Sequence, residues 1–145
     1  MINIKKVQGL EWKKTHQPIV KDSKRQMFGY GMELVVNLYD CDLKKISSKS
    51  AIQKFVITLC DKVIHMKRYG KTLIPNFGHD NPTTSGYSVV QLIETSSITG
   101  HFSDSERSCY LNIFSCAPYD PQKTAQFCKG YFGAQKIDAF LIIRP

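Results

Sequence analysis

The stretch YSVVQLIET, residues 87–95, decides the fold class of this chain. It is a nearly continuous apolar run, which is typical of a strand in the middle of a sheet. The polar stretch before it, residues 78–86, contains Pro82 and predicts a loop. Residues 110–116 predict another strand, which breaks at Pro118. Strand signals this close together indicate a sheet rather than a helical bundle.

Helical signals lie on both sides of this region. Apolar side chains recur at steps of three and four residues over residues 50–66, and nearby serines, Ser48 among them, are candidate N-caps. Asp120 is expected to cap a second helix, with Pro121 at its first position and Gly133 at its end. Further strands are predicted over residues 32–38, 72–77 and 137–143.

The resulting order, β-α-β-β-β-α-β, predicts an α+β fold. We expect a two-layer sandwich in which helices cover one face of a mostly antiparallel sheet. The opposite face needs cover, and a second copy of the chain is the simplest way to provide it. Residues 1–29 are expected to form a basic N-terminal extension, and residues 30–145 a single domain.

Composition excludes several classes of protein. The 145 residues are 42% hydrophobic and 22% charged, as in an ordinary globular domain. No apolar run approaches the roughly 20 residues that span a bilayer, and residues 1–6 lack the apolar stretch of a secretory signal. The five cysteines are odd in number and show no C-x-x-C spacing. We therefore expect a cytoplasmic protein with reduced thiols, no membrane association and no metal.

The net charge of +8 is concentrated near the N-terminus. Residues 1–25 hold seven Lys or Arg against two acids. Such an arm can bind nucleic acid, and a nucleic-acid-binding module is the hypothesis we rank last. A solvated basic extension explains the same charge without any partner.

Polar and reactive residues directly follow the central strand. Glu94, Thr95, Ser96 and Ser97 come first, and His101 follows closely. Packing gives no reason for a buried strand to end this way, because buried polar groups need partners. If residues 88–96 form one regular strand, Ser88 and Ser96 share a face. Gly100 lets the backbone approach closely beside His101.

This block resembles the self-cleavage site of the short, prokaryotic-type S-adenosylmethionine decarboxylases. In that family a serine follows a hydrophobic strand, a histidine lies five residues after the serine, and a cysteine lies fifteen after the histidine. Ser96, His101 and Cys116 match this spacing, and Ser88 falls on the family's processing serine. The resemblance extends over residues 30–135.

The resemblance implies a proenzyme that cuts itself between Thr95 and Ser96 into a β chain of residues 1–95 and an α chain of residues 96–145. Ser96 would become a covalently bound pyruvoyl group, which forms a Schiff base with the substrate's α-amine without pyridoxal phosphate. Cys116 would be the proton donor to the substrate, and His101 and Ser88 would assist the cut.

Substrate and partners are also implied by the resemblance. Decarboxylated S-adenosylmethionine is the aminopropyl donor for spermidine and related polyamines. The family suggests a homodimer of αβ protomers with active sites near the interface. Glu94 and Phe102 are candidate substrate-binding residues, since a phenylalanine can stack on an adenine.

The chain departs from the family pattern at two positions. Thr95 stands where glutamate commonly precedes the serine, and Asn37 stands where the first strand commonly has a carboxylate. The substrate could therefore be another basic amino acid, ornithine or arginine. A catalytically silent regulatory homologue is a further alternative. Ser97 is a second possible nucleophile, but only Ser96 keeps both spacings.

Overall fold

The structure, a computed structural model, describes residues 2, 4–6 and 29–144. The strands are β1 (Ile4–Lys6), β2 (Gly31–Tyr39), β3 (Arg68–Leu73), β4 (Asn76–Phe77), β5 (Gly86–Ile93), β6 (Ser96–Ser103), β7 (Ser108–Ser115) and β8 (Lys136–Arg144). The helices are α1 (Leu43–Ile46), α2 (Lys49–Thr58) and α3 (Pro121–Phe132), and a π-helical turn, Leu59–Val63, continues α2. Most of the basic extension lies outside the described residues.

All the strands join one sheet in the order β1-β8-β2-β7-β6-β5-β3, and β4 pairs with β5. The pairing of β1 with β8 is parallel, and every other pairing among the described strands is antiparallel. The expected α+β fold with a mostly antiparallel sheet is therefore confirmed.

The helix boundaries follow local chemistry. Ser48 caps α2, where its hydroxyl accepts a hydrogen bond from the backbone N–H of Ala51 at 3.2 Å. Asp120 caps α3 and accepts from the backbone N–H groups of Gln122 and Lys123. Gly133 ends α3 with a φ of 62°, a left-handed conformation that glycine adopts without strain. These caps confirm the sequence predictions for both helices.

The two faces of the sheet differ in burial. On β2, Met32, Leu34, Val36 and Leu38 are buried, whereas the residues between them are only partly covered. The buried side faces the helices, and α3 packs on β2 and β8. The other side, which we call the open face, carries no helix from the described part of the chain. None of the helices described is long and apolar enough to cross a membrane.

The main difference from the sequence prediction concerns residues 94–103. The central strand ends at Ile93, residues 94 and 95 form a turn, and β6 starts at Ser96. Ser88 and Ser96 therefore lie on different strands. Residues 88–96 do not form the single regular strand on which the two serines would share a face. β6 was not predicted from the sequence because hydroxyl groups dilute its apolar signal. Gly100 has the expected role, since a Cβ there would lie 2.7 Å from the side chain of Leu111.

Candidate active site

The turn between β5 and β6 contains the peptide bond that the sequence predicts to be cut. Ser96 is the first residue of β6 and has a φ of 155°. Residues with a Cβ rarely adopt this value. Such a conformation costs on the order of 1–3 kcal/mol and persists only where the surrounding structure imposes it. Backbone strain is therefore located next to the Thr95–Ser96 peptide bond.

The carbonyl oxygen of Thr95 receives two hydrogen bonds from one residue. The backbone N–H of Cys116 donates at 3.0 Å, and the thiol of Cys116 donates at 3.1 Å. Two donors on one carbonyl oxygen stabilise negative charge that develops there during nucleophilic attack on the carbonyl carbon. The arrangement has the form of an oxyanion hole.

The side chain of Thr95 is held as firmly as its carbonyl group. The hydroxyl of Ser115, which is fully buried, donates to the Thr95 hydroxyl at 2.9 Å. The Thr95 hydroxyl in turn donates a hydrogen bond to the sulfur of Met66 at 3.1 Å. These contacts fix Thr95 from both sides. The sequence analysis missed Ser115 and Met66, although the position of Ser115 next to Cys116 on a strand end was a usable signal.

Cys116 differs from the other four cysteines in its exposure. Cys41, Cys60, Cys109 and Cys128 are buried and Cys116 is exposed, and all five are free thiols. Burial raises the pKa of Cys41 to about 11 and the pKa values of Cys60 and Cys128 to about 12. A thiol with so high a pKa holds no thiolate near neutral pH and does not react.

Alkylation of the native protein is therefore expected to modify one thiol per chain. Iodoacetamide at neutral pH should label Cys116 rapidly and the buried four only after unfolding, which peptide mass spectrometry would measure. The Cys116→Ser variant should take up no rapid label. Rapid labelling at a buried position such as Cys60 would contradict the core described above.

Ser88 and His101 form a pair on neighbouring strands. They are cross-strand partners in the β5–β6 register, and the Ser88 hydroxyl lies 2.9 Å from Nδ1 of His101. The other ring nitrogen, Nε2, lies 3.0 Å from the backbone oxygen of Thr84. The structure thus brings together the two residues expected to assist processing.

This pair is not close to Ser96 of the same chain. His101 lies five residues further along β6, and an extended strand rises roughly 3.3 Å per residue, which gives a separation of about 16 Å. The four predicted residues therefore form two groups within one chain, Ser96 with Cys116 and Ser88 with His101.

The two candidate substrate-binding residues lie in different surroundings. Glu94, in the turn itself, pairs with Lys67 at 2.8 Å on the surface. Phe102 is fully buried in the core and packs against Phe132 with ring centroids 5.3 Å apart. Because its ring has no surface that a ligand could reach, the structure contradicts the predicted substrate contact of Phe102.

Asn37 lies on the open face, and its direct cross-strand partner on β8 is Asp138, whose side chain is exposed. Glu33, on the same strand as Asn37, accepts from the Asn112 amide at 3.1 Å and pairs with Arg144. Asp40 pairs with Lys136 at 3.3 Å. Both carboxylates are thus paired with cationic side chains of the same chain.

Comparison with known proteins identifies the family and the fold. The family model for S-adenosylmethionine decarboxylase matches residues 32–145. A crystal structure of the adenosylmethionine decarboxylase from Aquifex aeolicus superposes with a TM-score of 0.67 at 17% sequence identity, over 79% of this chain and 90% of that one. No curated protein sequence matches the chain. The chain therefore belongs to the S-adenosylmethionine decarboxylase family and is an enzyme of the decarboxylase class.

Proposed function

We propose that this chain is a self-processing, pyruvoyl-dependent decarboxylase of S-adenosylmethionine that cuts itself between Thr95 and Ser96. Its product would be the aminopropyl donor for spermidine and related polyamines. One observation carries the proposal: the Thr95 carbonyl oxygen has two donors from Cys116, directly before the strained backbone of Ser96. A carbonyl group in an ordinary β-turn needs neither feature.

The cut follows from the chemistry of these groups. The hydroxyl of Ser96 gives its proton to a base, the role we propose below for His101 of a second copy, and its oxygen adds to the carbonyl carbon of Thr95. The negative charge forms on the oxygen that Cys116 already binds. The C–N bond then breaks as the base returns the proton to the nitrogen, the amide becomes an ester, and the backbone strain at Ser96 is relieved. Removal of the Cα proton of Ser96 then expels the Thr95 carboxylate from Cβ and leaves a dehydroalanine, which water converts to a pyruvoyl group and ammonia.

The surrounding residues fit a pyruvoyl group at position 96. Hydrogen bonds to β5 and β7 on both sides would keep β6 in place after the cut. A pyruvoyl group supplies an electron sink for the decarboxylation of an α-amino acid. The exposed thiol of Cys116 lies beside this position and would act as the general acid.

We propose further that the active enzyme is a homodimer with shared sites. Ser88 and His101 are about 16 Å from Ser96 in their own chain by strand rise, so a role at the cut requires the pair of a second copy. The open face carries exposed apolar side chains in adjacent cross-strand pairs, Tyr69 with Leu92 and Leu73 with Val90. Tyr69 is 68% exposed and Leu92 50%, and apolar surface of this kind favours burial against another protein surface.

Complementation between two inactive variants tests the shared site. Ser96→Ala has no nucleophile, and His101→Ala has no assisting base, so each variant alone should stay uncut or cut very slowly. Co-expressed, the two should form mixed dimers in which the His101→Ala chain is cut with help from its partner. Mass spectrometry separates the chains, and failure of the mixture to cut would contradict sharing.

The substrate is tested by release of labelled carbon dioxide. The purified protein should release it from carboxyl-labelled S-adenosylmethionine, and borohydride, which reduces the keto group, should abolish the release. Release only from labelled ornithine or arginine would reassign the substrate and keep the cofactor. No release from any of the three would favour a silent homologue. A cytoplasmic location is part of this proposal, and cell fractionation tests it.

A further inference from the structure

The loop between β4 and β5 is fastened to the end of β6 and the turn after it by consecutive backbone oxygens. Each oxygen accepts a hydrogen bond from a different group: Pro82 O from the Ser105 hydroxyl at 2.8 Å, Thr83 O from the Ser103 hydroxyl at 2.6 Å, Thr84 O from His101 Nε2 at 3.0 Å, and Ser85 O from the Asp104 N–H at 3.1 Å. We call residues 82–85 the clamp loop.

The contact with the clamp loop determines the tautomer of His101. A carbonyl oxygen only accepts, so Nε2 must carry the hydrogen in the bond to Thr84. In the neutral ring Nδ1 is then unprotonated and accepts from the hydroxyl of Ser88, 2.9 Å away. This is the arrangement in which a histidine can remove the proton of a serine.

Ser103 is the buried member of this set. It is 3% exposed, and its bond to Thr83 is the shortest of the four. The backbone N–H of Glu106 donates to the same hydroxyl at 3.4 Å, which fixes its direction toward the loop. Where the loop joins β5, Gly86 has a φ of 153°, and a Cβ there would overlap the backbone oxygen of Phe102. Packing therefore seats the clamp loop against β6.

We propose that Ser103 is a positioning residue: through the clamp loop it holds His101 in the Nε2–H tautomer, so that Nδ1 can act as a base toward Ser88. The consequence for self-cleavage rests on the proposed function. The tautomer itself does not, because it follows from hydrogen bonds within one chain. Ser103 touches no reacting group and acts only through the Thr83 and Thr84 backbone.

The tautomer of His101 can be read directly by two-bond ¹H–¹⁵N correlation spectra of histidine-labelled protein. The Ser96→Ala chain is the parent, since it is uniform whether or not the natural chain cleaves. The chain has four histidines, and loss of one signal set in His101→Gln assigns His101. The parent should show Nε2 protonated and Nδ1 unprotonated. Ser103→Ala should lower the ratio of this tautomer to the other by about fivefold, the effect of one neutral hydrogen bond.

Two further variants separate positioning from general destabilisation. Ser103→Thr keeps the hydroxyl and should restore the parent spectrum. Thr124→Val removes a buried hydroxyl that donates to the Asp120 backbone oxygen at 2.7 Å in α3, on the opposite side of the sheet, and it should leave the tautomer unchanged. With Ser96 present, Ser103→Ala should also slow self-cleavage by about fivefold.

An Nδ1–H tautomer in the parent, or an unchanged ratio in Ser103→Ala, would overturn the proposal. A natural chain that never cleaves would instead remove the proposed function and leave the tautomer result standing.

Discussion

Ser96→Ala is expected to leave the purified protein as one intact chain with no keto group. Alanine has no hydroxyl to add to the Thr95 carbonyl, so the loss of cleavage should be complete rather than partial. Denaturing mass spectrometry measures the result in a single spectrum. The Cys116 donors on the Thr95 oxygen do not depend on the Ser96 side chain, so the variant should remain folded.

Ser97→Ala is the matched control for the choice of nucleophile. Ser97 is the next residue along β6. It pairs with Leu92 and Phe114, each one residue away from the cross-strand partners of Ser96. This variant should cleave normally. A Ser96→Ala chain that still splits, together with an intact Ser97→Ala chain, would transfer the role to Ser97.

Cys116→Ala is expected to reduce decarboxylation by about a hundredfold or more, because it removes a general acid. Its self-cleavage should also slow, since the carbonyl oxygen of Thr95 loses the thiol donor and keeps only the backbone N–H. The two effects are measured separately, as carbon dioxide release per cleaved chain and as the rate of appearance of the two fragments.

Cys116→Ser separates the two roles of the thiol. A hydroxyl can still donate to the Thr95 oxygen, so self-cleavage should recover. Its proton is held more tightly than that of a thiol, so decarboxylation should stay low. Full decarboxylation by cleaved Cys116→Ala would exclude the thiol as the proton donor.

The parts of the fold that the sequence predicts well have strong local signals. α3 begins and ends where Asp120, Pro121 and Gly133 indicate, because capping and turn chemistry act over a few residues. β2 extends only one residue beyond the prediction at each end, since its alternation matches a half-buried strand. β6 was missed because its two buried apolar residues, Ile98 and Phe102, are four positions apart.

The sequence supplies the candidate residues of the site but not their grouping. The family spacing singled out four residues, Ser88, Ser96, His101 and Cys116. It did not show which of them lie in contact. The antiparallel β5–β6 pairing places Ser88 beside His101, and the reversal after Ile93 places Thr95 beside Cys116. The predicted substrate contact of Phe102 failed for a different reason. Phe102 directly follows His101 on β6, and neighbouring residues on a strand point to opposite faces, so its ring lies in the core.

The claim that this chain cuts itself at the Thr95–Ser96 bond is tested by a denaturing mass spectrum of the natural chain. We expect two fragments, residues 1–95 and residues 96–145, with the second carrying a pyruvoyl group in place of its N-terminal serine. A single intact chain with no keto group would contradict the claim.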